Sequence, residues 1–575
     1  MSSSTEASAL PSRRALTFKL VMAYWRSSDC WRAVALLIIV IALNMASVYI
    51  LVQLTQWQKS FFDVLEQRNQ EAIWGVLRQL GLIIGTFVLS VSFTDYFKHW
   101  LHIRWRTWLT EHYLQRWLHS QSYYAITSDE QHDNPDQRIA EDINGMVENI
   151  LDLGIGLIKN TTNLISYAVM LWGLSANLQF DIAGYHLQIP GIIVFATVIY
   201  VVLGSLIMER LGRPLVNIDY KKQRYEANFR HTLFNIREHA EQISFHKGHH
   251  SERQRTETSF AAIRRNWHRW MVYSRRIVMT ETVYMQAGNY MPYALTLPNY
   301  FVGRISLGDV MQLNMAAMRF RSSLSWFIYN YARLAILRAT LTRLEEFEHQ
   351  LYEREHMPFD YASSTDGALR ITGVHLDRPN GSFINYIDQM IIPRGQRCLI
   401  QGPSGSGKST LLRALAKLWH FGHGHIELPE GTTLFLPQKS YIPEGTLRHA
   451  LQYPGPDDEL TVAQAQSLLE QVGLQHYNTA LDQHADWQKQ LSPGEQQRLA
   501  FARVLQQRPD YLFLDEATSA LDDKAEWQLY NLILKELPEV TLLSVAHRVS
   551  LRSLHDRVIM LAPTEHAHIP AYSVG

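Results

Sequence analysis

Long apolar runs dominate the first half of the chain. AVALLIIVIALNMASVYILVQL (33–54) and GIIVFATVIYVVLGSLIM (191–208) each approach the ~20 apolar residues that a membrane-spanning helix requires. Residues 76–93 form a third predicted span, and residues 150–174 form a fourth that contains more polar positions. The pattern therefore predicts a helical membrane part in this half.

Two later segments, 277–302 and 308–332, mix polar and apolar residues. Such a mixture is compatible with amphipathic helices in water, but weak spans also occur where a helix faces a water-filled interior. We expect both segments to cross the membrane, which gives six spans. The pattern does not fix the boundaries of these last two spans, and a four-span arrangement fits the early loops as well.

Positive charge is distributed unevenly among the connecting segments. Lys and Arg are frequent in residues 1–32, 95–149 and 209–276, whereas residues 175–188 contain neither. Because basic connections stay in the cytoplasm, both termini are predicted to be cytoplasmic. The two long basic connections also carry helical periodicity, so we expect the membrane helices to continue into the cytosol.

The second half of the chain has a different pattern. DYASSTDG, which begins at Asp360, has the composition of a linker. Beyond it, short apolar runs alternate with helical stretches; the runs are ALRITGV, RCLIQ, TLFLP, YLFLD and TLLSV. This alternation is typical of an α/β domain with a largely parallel sheet.

Composition excludes several classes of protein. The 54 Lys and Arg residues balance 54 Asp and Glu residues, so no global field favours nucleic acid as a partner. Cys30 and Cys398 are the only cysteines, which excludes a disulfide framework and a zinc site built from cysteines. Residues 1–30 lack the compact apolar core and cleavage site of a secretory signal, so we expect a cytosolic lead-in.

One glycine-rich stretch carries candidate chemistry. It follows RCLIQ, precedes the helical TLLRALAKLW and contains Gly402, Pro403, Ser404, Gly405, Ser406, Gly407, Lys408, Ser409 and Thr410. Glycines at such a strand-to-helix turn let backbone N–H groups surround phosphate oxygens. Lys408 is predicted to reach the β- and γ-phosphates of a nucleotide, and Ser409 to ligate Mg²⁺.

A second element, YLFLDE, ends in two carboxylates. Its four apolar residues predict a buried strand, after which Asp515 can hold Mg²⁺ through its water shell. Glu516 can polarise the attacking water as a general base. An apolar run followed by Asp-Glu is a weak signal alone and a strong one in this order after Lys408.

Between these two elements, LSPGEQQR predicts a helix start. Ser492 suits the N-cap, Pro493 the first helical position and Glu495 the capping box. The stretch is either an ordinary helix start or a second phosphate-binding helix N-terminus. Two such termini cannot readily cap one γ-phosphate within one small domain, but they can if two copies of the domain face each other.

The order of these motifs resembles the ATP-binding cassette domain of ABC transporters over residues 370–560. It includes Gln438 in FLPQ, then LSPGE, LDEATSALD and His547 in VAH. The resemblance implies that Gln438 links the γ-phosphate and Mg²⁺ to the membrane part, and that His547 contacts the γ-phosphate. It implies ATP and Mg²⁺ as cofactors. It also implies that Glu516, Gln438 and His547 act in catalysis and that Ser409, Gln438 and Asp515 surround the metal. Finally, it implies that Ser492 and Gly494 bind the nucleotide and that Asp522 lies at the dimer seam.

Two departures from the family pattern matter. The usual signature is LSGGQ, and here Pro493 and Glu495 replace Gly and Gln. Because Pro is tolerated at the first helical position and the Gly494 amide remains, we expect this site to work. The aromatic residue that usually stacks on adenine is missing, and either Arg378 or Phe383 is expected to take its place.

The membrane half also resembles a known group. IRWRTWLTEHYLQRWL, NPDQRIAEDI, YEANFRHTL and LSWFIYNYARLA are similar to fused permeases near the bacterial SbmA/BacA-type peptide-antibiotic importers. They are also similar to the D-subfamily half-transporters of peroxisomes and lysosomes. Cargoes of these relatives include peptides, cobalamin and fatty acyl-CoA, so the resemblance leaves both cargo and direction open.

The expected fold has two domains. After the lead-in (1–30) we expect an all-α, six-helix transmembrane domain of exporter type with long cytoplasmic helical extensions (31–345). A linker (346–367) then precedes an α/β P-loop ATP-binding cassette domain (368–575).

The expected function is ATP-driven transport by a homodimer in the bacterial inner membrane. Its expected partners are a second copy of the chain, membrane lipid and a transported small molecule or peptide, with no nucleic acid. Polar residues in the predicted spans favour a water-soluble cargo such as a peptide or a cobalamin-like molecule: Asp152, Lys159, Asn163, Glu281, Gln286, Asn289, Asn314, Arg319 and Arg321. The alternatives are a fatty acyl-CoA or lipid transporter, and a membrane-anchored ATPase without solute transport.

Overall fold

The computed structural model describes residues 21–119, 123–124, 134–176, 178–182, 185–354, 358–455 and 460–562. The chain divides into two units. The first comprises Met1–Tyr113 and Asp136–Glu346, and the second comprises Leu114–Pro135 and Phe347–Gly575.

Long helices build the first unit. They are α1 (Cys30–Glu66), α2 (Gln70–His119), α3 (Ile143–Ser175), α4 (Ile192–Glu238), α5 (His249–Phe301), α6 (Leu307–Tyr329) and α7 (Tyr331–Arg354). A π-helical turn, Arg138–Asp142, leads into α3, and a hairpin of β1 (Phe180–Ile182) and β2 (Tyr185–Leu187) separates α3 from α4.

Three of these helices, α1, α2 and α4, are long and apolar enough to cross a membrane. The other predicted spans, 150–174, 277–302 and 308–332, are helical for most of their length in α3, α5 and α6 but carry more polar residues. The count of six spans therefore stays a prediction. Helix α4 continues to Glu238 as expected, whereas the cytoplasmic placement of its second half stays a prediction.

The apolar core of the first unit lies where α6 meets α3. Tyr167, Leu171, Val310, Leu313 and Phe320 are all 3% exposed or less, and they form one cluster. These positions recur at helical spacing on each helix, which is why the partly polar α3 and α6 still bury one side against each other.

Two sheets organise the second unit. In chain order the strands are β3 (Asp360–Ser364), β4 (Leu369–Asp377), β5 (Phe383–Ile392), β6 (Arg397–Gln401), β7 (Gly422–Pro429), β8 (Thr433–Leu436), β9 (Gly445–Thr446), β10 (His484–Ala485), β11 (Tyr511–Asp515), β12 (Thr541–Val545) and β13 (Arg557–Met560). One five-stranded sheet has the order β13-β6-β12-β11-β8 and is parallel throughout. The other has the order β3-β7-β4-β5 and is mostly antiparallel.

Helices lie between the strands along the chain. They are α8 (Lys408–Leu415), α9 (Leu447–Gln452), α10 (Val462–Gln471), α11 (Pro493–Gln507) and α12 (Asp523–Glu536). The predicted apolar runs all become strands, and β11 and β12 are almost fully buried, as parallel central strands require. The segment expected to be a linker, 346–367, contains the end of α7 and all of β3.

Candidate nucleotide-binding site

The glycine-rich loop connects β6 to α8, as the strand–loop–helix pattern predicts. Gly407 has a backbone φ of 87°, a left-handed conformation that favours glycine. A Cβ atom at this position would lie only 2.9 Å from Cγ2 of Ile384. The Asn385 side chain also donates a hydrogen bond to the Ser406 carbonyl oxygen at 2.7 Å, so strand β5 supports the loop directly.

Lys408 is buried at the first position of α8. Its Nζ donates to the carbonyl oxygens of Gly402 and Pro403, at 2.9 Å each. This ammonium group therefore lies along the loop whose N–H groups would surround a phosphate, and its charge adds to that of the helix N-terminus.

Ser409 and Asp515 meet as the metal hypothesis requires. The Ser409 hydroxyl donates to Asp515 Oδ1 at 2.8 Å. Burial raises the pKa of Asp515, because loss of solvent disfavours the carboxylate, and the hydrogen bond from Ser409 only partly offsets this. Two oxygen ligands with a partly desolvated negative charge suit Mg²⁺, so these residues fit the ion that the sequence predicts.

The other two predicted catalytic side chains converge on Glu516. Gln438 Nε2 donates to Glu516 Oε2 at 3.4 Å, and His547 Nε2 lies 2.9 Å from Glu516 Oε1. Strand register explains the convergence, since Asp515 lies beside Val545 of β12 and Leu514 lies beside Leu436 of β8. Each catalytic residue follows its strand by one or two positions, at the carboxyl edge of the sheet.

Glu516 itself has an unusual backbone. Its φ is 48°, in the left-handed region, and its N–H donates to the Val545 carbonyl oxygen at 3.0 Å. A non-glycine residue in this conformation costs about 1–3 kcal/mol and persists only where the surrounding structure enforces it. This backbone conformation places the Glu516 carboxylate between Gln438 and His547.

The predicted helix start at Ser492 is confirmed. The Ser492 hydroxyl accepts from the Glu495 N–H at 3.4 Å, and the Ser492 N–H donates to Glu495 Oε2 at 2.9 Å, with Pro493 in the first turn of α11. Burial acts to raise the pKa of Glu495, but hydrogen bonds from Ser492 and His476 outweigh it and lower that pKa. Glu495 therefore stays charged and holds the cap.

The signature helix and the glycine-rich loop of one chain are not joined. Within the described residues, no hydrogen bond or ion pair connects Ser492 or Gly494 to residues 402–410. Asp522 caps α12 by accepting from the Ala525 N–H at 2.7 Å. Its place at a dimer seam stays a prediction.

Sequence reasoning missed Gln497, which joins three parts of the site. Its side chain is buried, accepts from the Ala520 N–H at 2.9 Å and donates to the Ser519 hydroxyl at 3.3 Å. The same amide donates to the Gln438 carbonyl oxygen at 3.5 Å. The sequence signal for Gln497 was its helical spacing from Ala500, Phe501 and Val504, because these residues share the buried side of α11.

Neither candidate for adenine stacking is singled out by the structure. Arg378 is exposed and donates to the Ser382 hydroxyl at 3.4 Å. The Phe383 ring is half-buried and lies 4.8 Å from the His375 ring, measured between centroids. Both alternatives remain open.

Comparisons with known proteins show the family of the chain. The family model described as "ABC transporter transmembrane region 2" matches residues 21–301, and the model described as "ABC transporter" matches residues 388–519. The chain is 34% identical over 545 residues to the Escherichia coli "Inner membrane ABC transporter ATP-binding protein YddA", covering 94% of this chain and 96% of that one. It is 26% identical over 597 residues to the human "Lysosomal cobalamin transporter ABCD4", covering 94% and 93%.

A solved structure is similar in fold. It is described as a bacterial Atm1-family ABC exporter with ATP bound, and the TM-score is 0.70. The match covers 94% of this chain and 95% of the other, at 17% identity. At that identity the likeness shows the fold alone, a helical transmembrane domain followed by an α/β ATPase domain.

Proposed function

Because the chain belongs to the ABC transporter family, with a transmembrane region and an ATPase domain on one polypeptide, we propose that two copies form one transporter with two shared ATP sites. The chain is a multi-pass membrane protein related to the D subfamily, and it hydrolyses ATP to drive transport. The narrower grouping with SbmA/BacA-type importers is part of the proposal.

The proposal of a dimer rests on one observation: among the described residues, the start of α11 at Ser492, called the signature helix, does not bond the glycine-rich loop. Ser492 is exposed and Gly494 is half-exposed at the start of α11, where the Gly494 N–H lies at a helix N-terminus that can receive a phosphate. Since they do not bond the loop of their own chain, they are available to the loop of a second chain. Each nucleotide would then contact Lys408 of one copy and Ser492 of the other.

Mixing two inactive variants tests this arrangement. A heterodimer of Lys408→Ala and Ser492→Ala chains contains one site in which both residues are intact, so it should hydrolyse ATP when neither homodimer does. Thr461→Ala is the matched control, because Thr461 forms the same capping box on α10. If each nucleotide were bound within one chain, mixing would restore nothing.

In the proposed reaction each residue has a separate task. Ser409, Asp515 and Gln438 would hold Mg²⁺, which supplies charge neutralisation at the phosphates when bound. Glu516 accepts the proton of the attacking water, and His547 holds the Glu516 carboxylate in place at 2.9 Å. His547 would also contact the γ-phosphate, as the family resemblance implies. Lys408 and the loop amides orient the phosphates.

We further propose a water-soluble cargo of the size of a peptide or a cobalamin-like molecule. Asn163 and Asn314 are each 9% exposed, and their side-chain oxygens have no hydrogen-bond partner within the described residues. Lys159 on α3 and Arg319 on α6 belong to no ion pair in the described part of the chain. Unsatisfied polar groups on α3 and α6 would be compensated by a polar cargo.

Other polar residues in the same helices are already paired. Asp152 lies 3.3 Å from Lys98 and 3.2 Å from Arg333, and Arg321 donates to Asn289 at 2.6 Å. These pairs fix helix packing and give no support to a soluble cargo. The support therefore comes from Lys159, Asn163, Asn314 and Arg319.

Proteoliposomes distinguish the candidate functions. We expect ATP-dependent uptake and ATPase stimulation with peptides or cobalamin, and a loss of that stimulation in Asn163→Leu with basal ATPase retained. Stimulation by acyl-CoA alone would favour the lipid-type transporter, as some D-subfamily cargoes suggest. Basal ATPase with no cargo movement in any arm would favour the membrane-anchored ATPase.

The proposed location is the bacterial inner membrane, with six spans and both termini in the cytoplasm. The support is the charge pattern and the similarity to a protein described as an inner membrane transporter. Reporter fusions after residue 188 and after residue 575 test it. An external reporter signal at 188 and a cytoplasmic signal at 575 are expected.

A further inference from the structure

A histidine-containing cluster lies on the mostly antiparallel sheet, apart from the residues assigned to ATP hydrolysis. His375 on β4 is directly opposite His423 on β7, and their rings are parallel within 10° with centroids 5.0 Å apart. Asp377 lies two residues along β4, with its Oδ1 3.5 Å from Nδ1 of His375. One ligand atom from each of these residues lies within 4.8 Å of the others.

Local backbone geometry places all three side chains on one face. Val374 and Leu376 are fully buried on the inner face of β4, so His375 and Asp377 point to the outer face. A bulge with Gly373 at a φ of 58° shifts the register between Thr372 and His375. The bulge switches the buried positions of β4 from Leu369 and Ile371 before it to Val374 and Leu376 after it, and it leaves His375 on the outer face opposite His423.

His375 is prepared to act as a ligand. Its Nδ1 atom is buried and makes no hydrogen bond within the described residues, although the Asp377 carboxylate lies 3.5 Å away. The rings of Phe383 and Tyr386 lie 4.8 and 5.9 Å from its own ring and shield one side from water. An unsatisfied buried nitrogen costs free energy that a bound ion would recover.

We propose that His375, Asp377 and His423 bind a divalent transition-metal ion of the kind that prefers imidazole, with Zn²⁺, Ni²⁺, Cu²⁺ and Co²⁺ as the chemical class. Donor atoms around a tetrahedral zinc ion lie about 3.3 Å apart, so side-chain rotations that close each gap by at most about 1.5 Å complete the site. Two nitrogens and one carboxylate leave a fourth position for water, as in open zinc sites.

The position of the site connects it to nucleotide binding. Leu376, on the inner face of β4, lies against Gly407 of the glycine-rich loop. On the neighbouring strand β5, Ile384 also lies against Gly407, and Asn385 donates to the Ser406 carbonyl oxygen. Asp377 also contacts the segment that follows α8, because its backbone carbonyl oxygen accepts a hydrogen bond from Trp419 Nε1 at 3.0 Å. A metal ion that fixes β4 against β7 would therefore alter the affinity for ATP.

Metal titration of the full-length protein, purified without a histidine tag, tests the site. We expect Zn²⁺ affinity, and the absorption of bound Co²⁺, to fall at least about tenfold in His375→Ala and in His423→Ala. His425→Ala is the matched control, because His425 lies on the same strand but bonds Asp360 instead, at 2.8 Å. Since His423 is exposed, its variant keeps the fold even if His375→Ala does not.

Two results would overturn the inference. Equal metal binding by the wild type and the His423→Ala variant, or an equal loss in His425→Ala, would exclude the site. The link to nucleotide is tested separately by measuring ATP affinity with and without Zn²⁺ in the wild type and in His423→Ala at the same metal concentration. An identical response in both proteins would exclude the link.

Discussion

At the scale of single residues, the site depends on side chains whose neighbours hold them in one position. Glu516 sits at a φ of 48° with Gln438 and His547 on its two oxygens. A carboxylate that is oriented from both sides is prepared to accept a proton from water without further rearrangement.

Replacing Glu516 by Gln should leave ATP binding intact and reduce hydrolysis about 10²–10⁴-fold, since only the proton acceptor is removed. Nucleotide should remain trapped in a closed dimer. Single-turnover hydrolysis and retained radiolabelled ATP measure the two effects. Glu539→Gln, an exposed position before β12, is the control and should behave as the wild type. Retention of most of the rate in Glu516→Gln would remove Glu516 from the base role.

Gln497 gives a second prediction at this scale. Gln497→Leu keeps the volume of this buried side chain but removes the acceptor of the Ala520 N–H, which should lower the free energy of unfolding by about 0.5–1.5 kcal/mol. Because the signature helix then loses its link to Gln438, hydrolysis should fall while ATP affinity changes little. Thermal unfolding and nucleotide titration test this. Gln507→Leu at the exposed end of α11 is the control, and equal effects of both variants would contradict the idea.

Much of the site could be predicted from the sequence, because its residues lie in short contiguous motifs. Lys408 and Ser409 follow a strand, and Ser492 and Glu495 form a helix start at fixed spacing. Gln497 and Asn385 could not be found in this way. Their partners lie elsewhere in the chain, Ala520 for Gln497 and Ser406 for Asn385, and only the folded sheet brings these residues together.

At the scale of elements, periodicity predicted whether a segment is a helix or a strand better than it predicted whether the segment lies in the membrane or in water. The short apolar runs became the strands of the parallel sheet because burial on both faces makes such strands apolar throughout. Helices α5 and α6 were predicted with uncertain ends, and the structure breaks the second one between Tyr329 and Tyr331. The polar end of α7 and strand β3 have the amino-acid composition of a linker. For this reason the sequence predicted a linker at 346–367, where the structure has a helix end and a strand.

The π-helical turn before α3 carries a prediction at this scale. Asp142, which is 6% exposed, accepts from Arg343 at 2.5 and 2.9 Å and from Arg138 at 2.8 Å. Asp142→Asn removes the charge that both guanidinium groups share, so the free energy of unfolding should fall by about 3 kcal/mol. Thermal unfolding in detergent measures it. Glu141→Gln is the control on the same turn, where the side chain is exposed.

At the scale of the whole molecule, the order of the motifs predicted a membrane half followed by an ATPase half, and the family match confirms that order. The number of spans could not be fixed in the same way. Helices such as α3 hide polar residues on one side, so average hydropathy underestimates their fitness for a membrane. The sequence of one chain also gives little sign of dimer assembly. The one indication is that the signature helix at Ser492 does not bond the glycine-rich loop of its own chain in the ranges that the structure describes.

The last prediction concerns that assembly. If each ATP requires Lys408 of one copy and Ser492 of another, a single copy has no complete site. Lipid nanodiscs that hold one chain should therefore bind ATP with reduced affinity and show almost no hydrolysis, whereas discs that hold two chains should show the full rate. Disc stoichiometry is measured by light scattering, and the rate per chain is compared. Glu516→Gln chains in two-copy discs control for contaminating ATPases. Hydrolysis at the full rate per chain in one-copy discs would contradict the shared sites, because it would mean that the signature helix and the glycine-rich loop of one chain act on the same nucleotide.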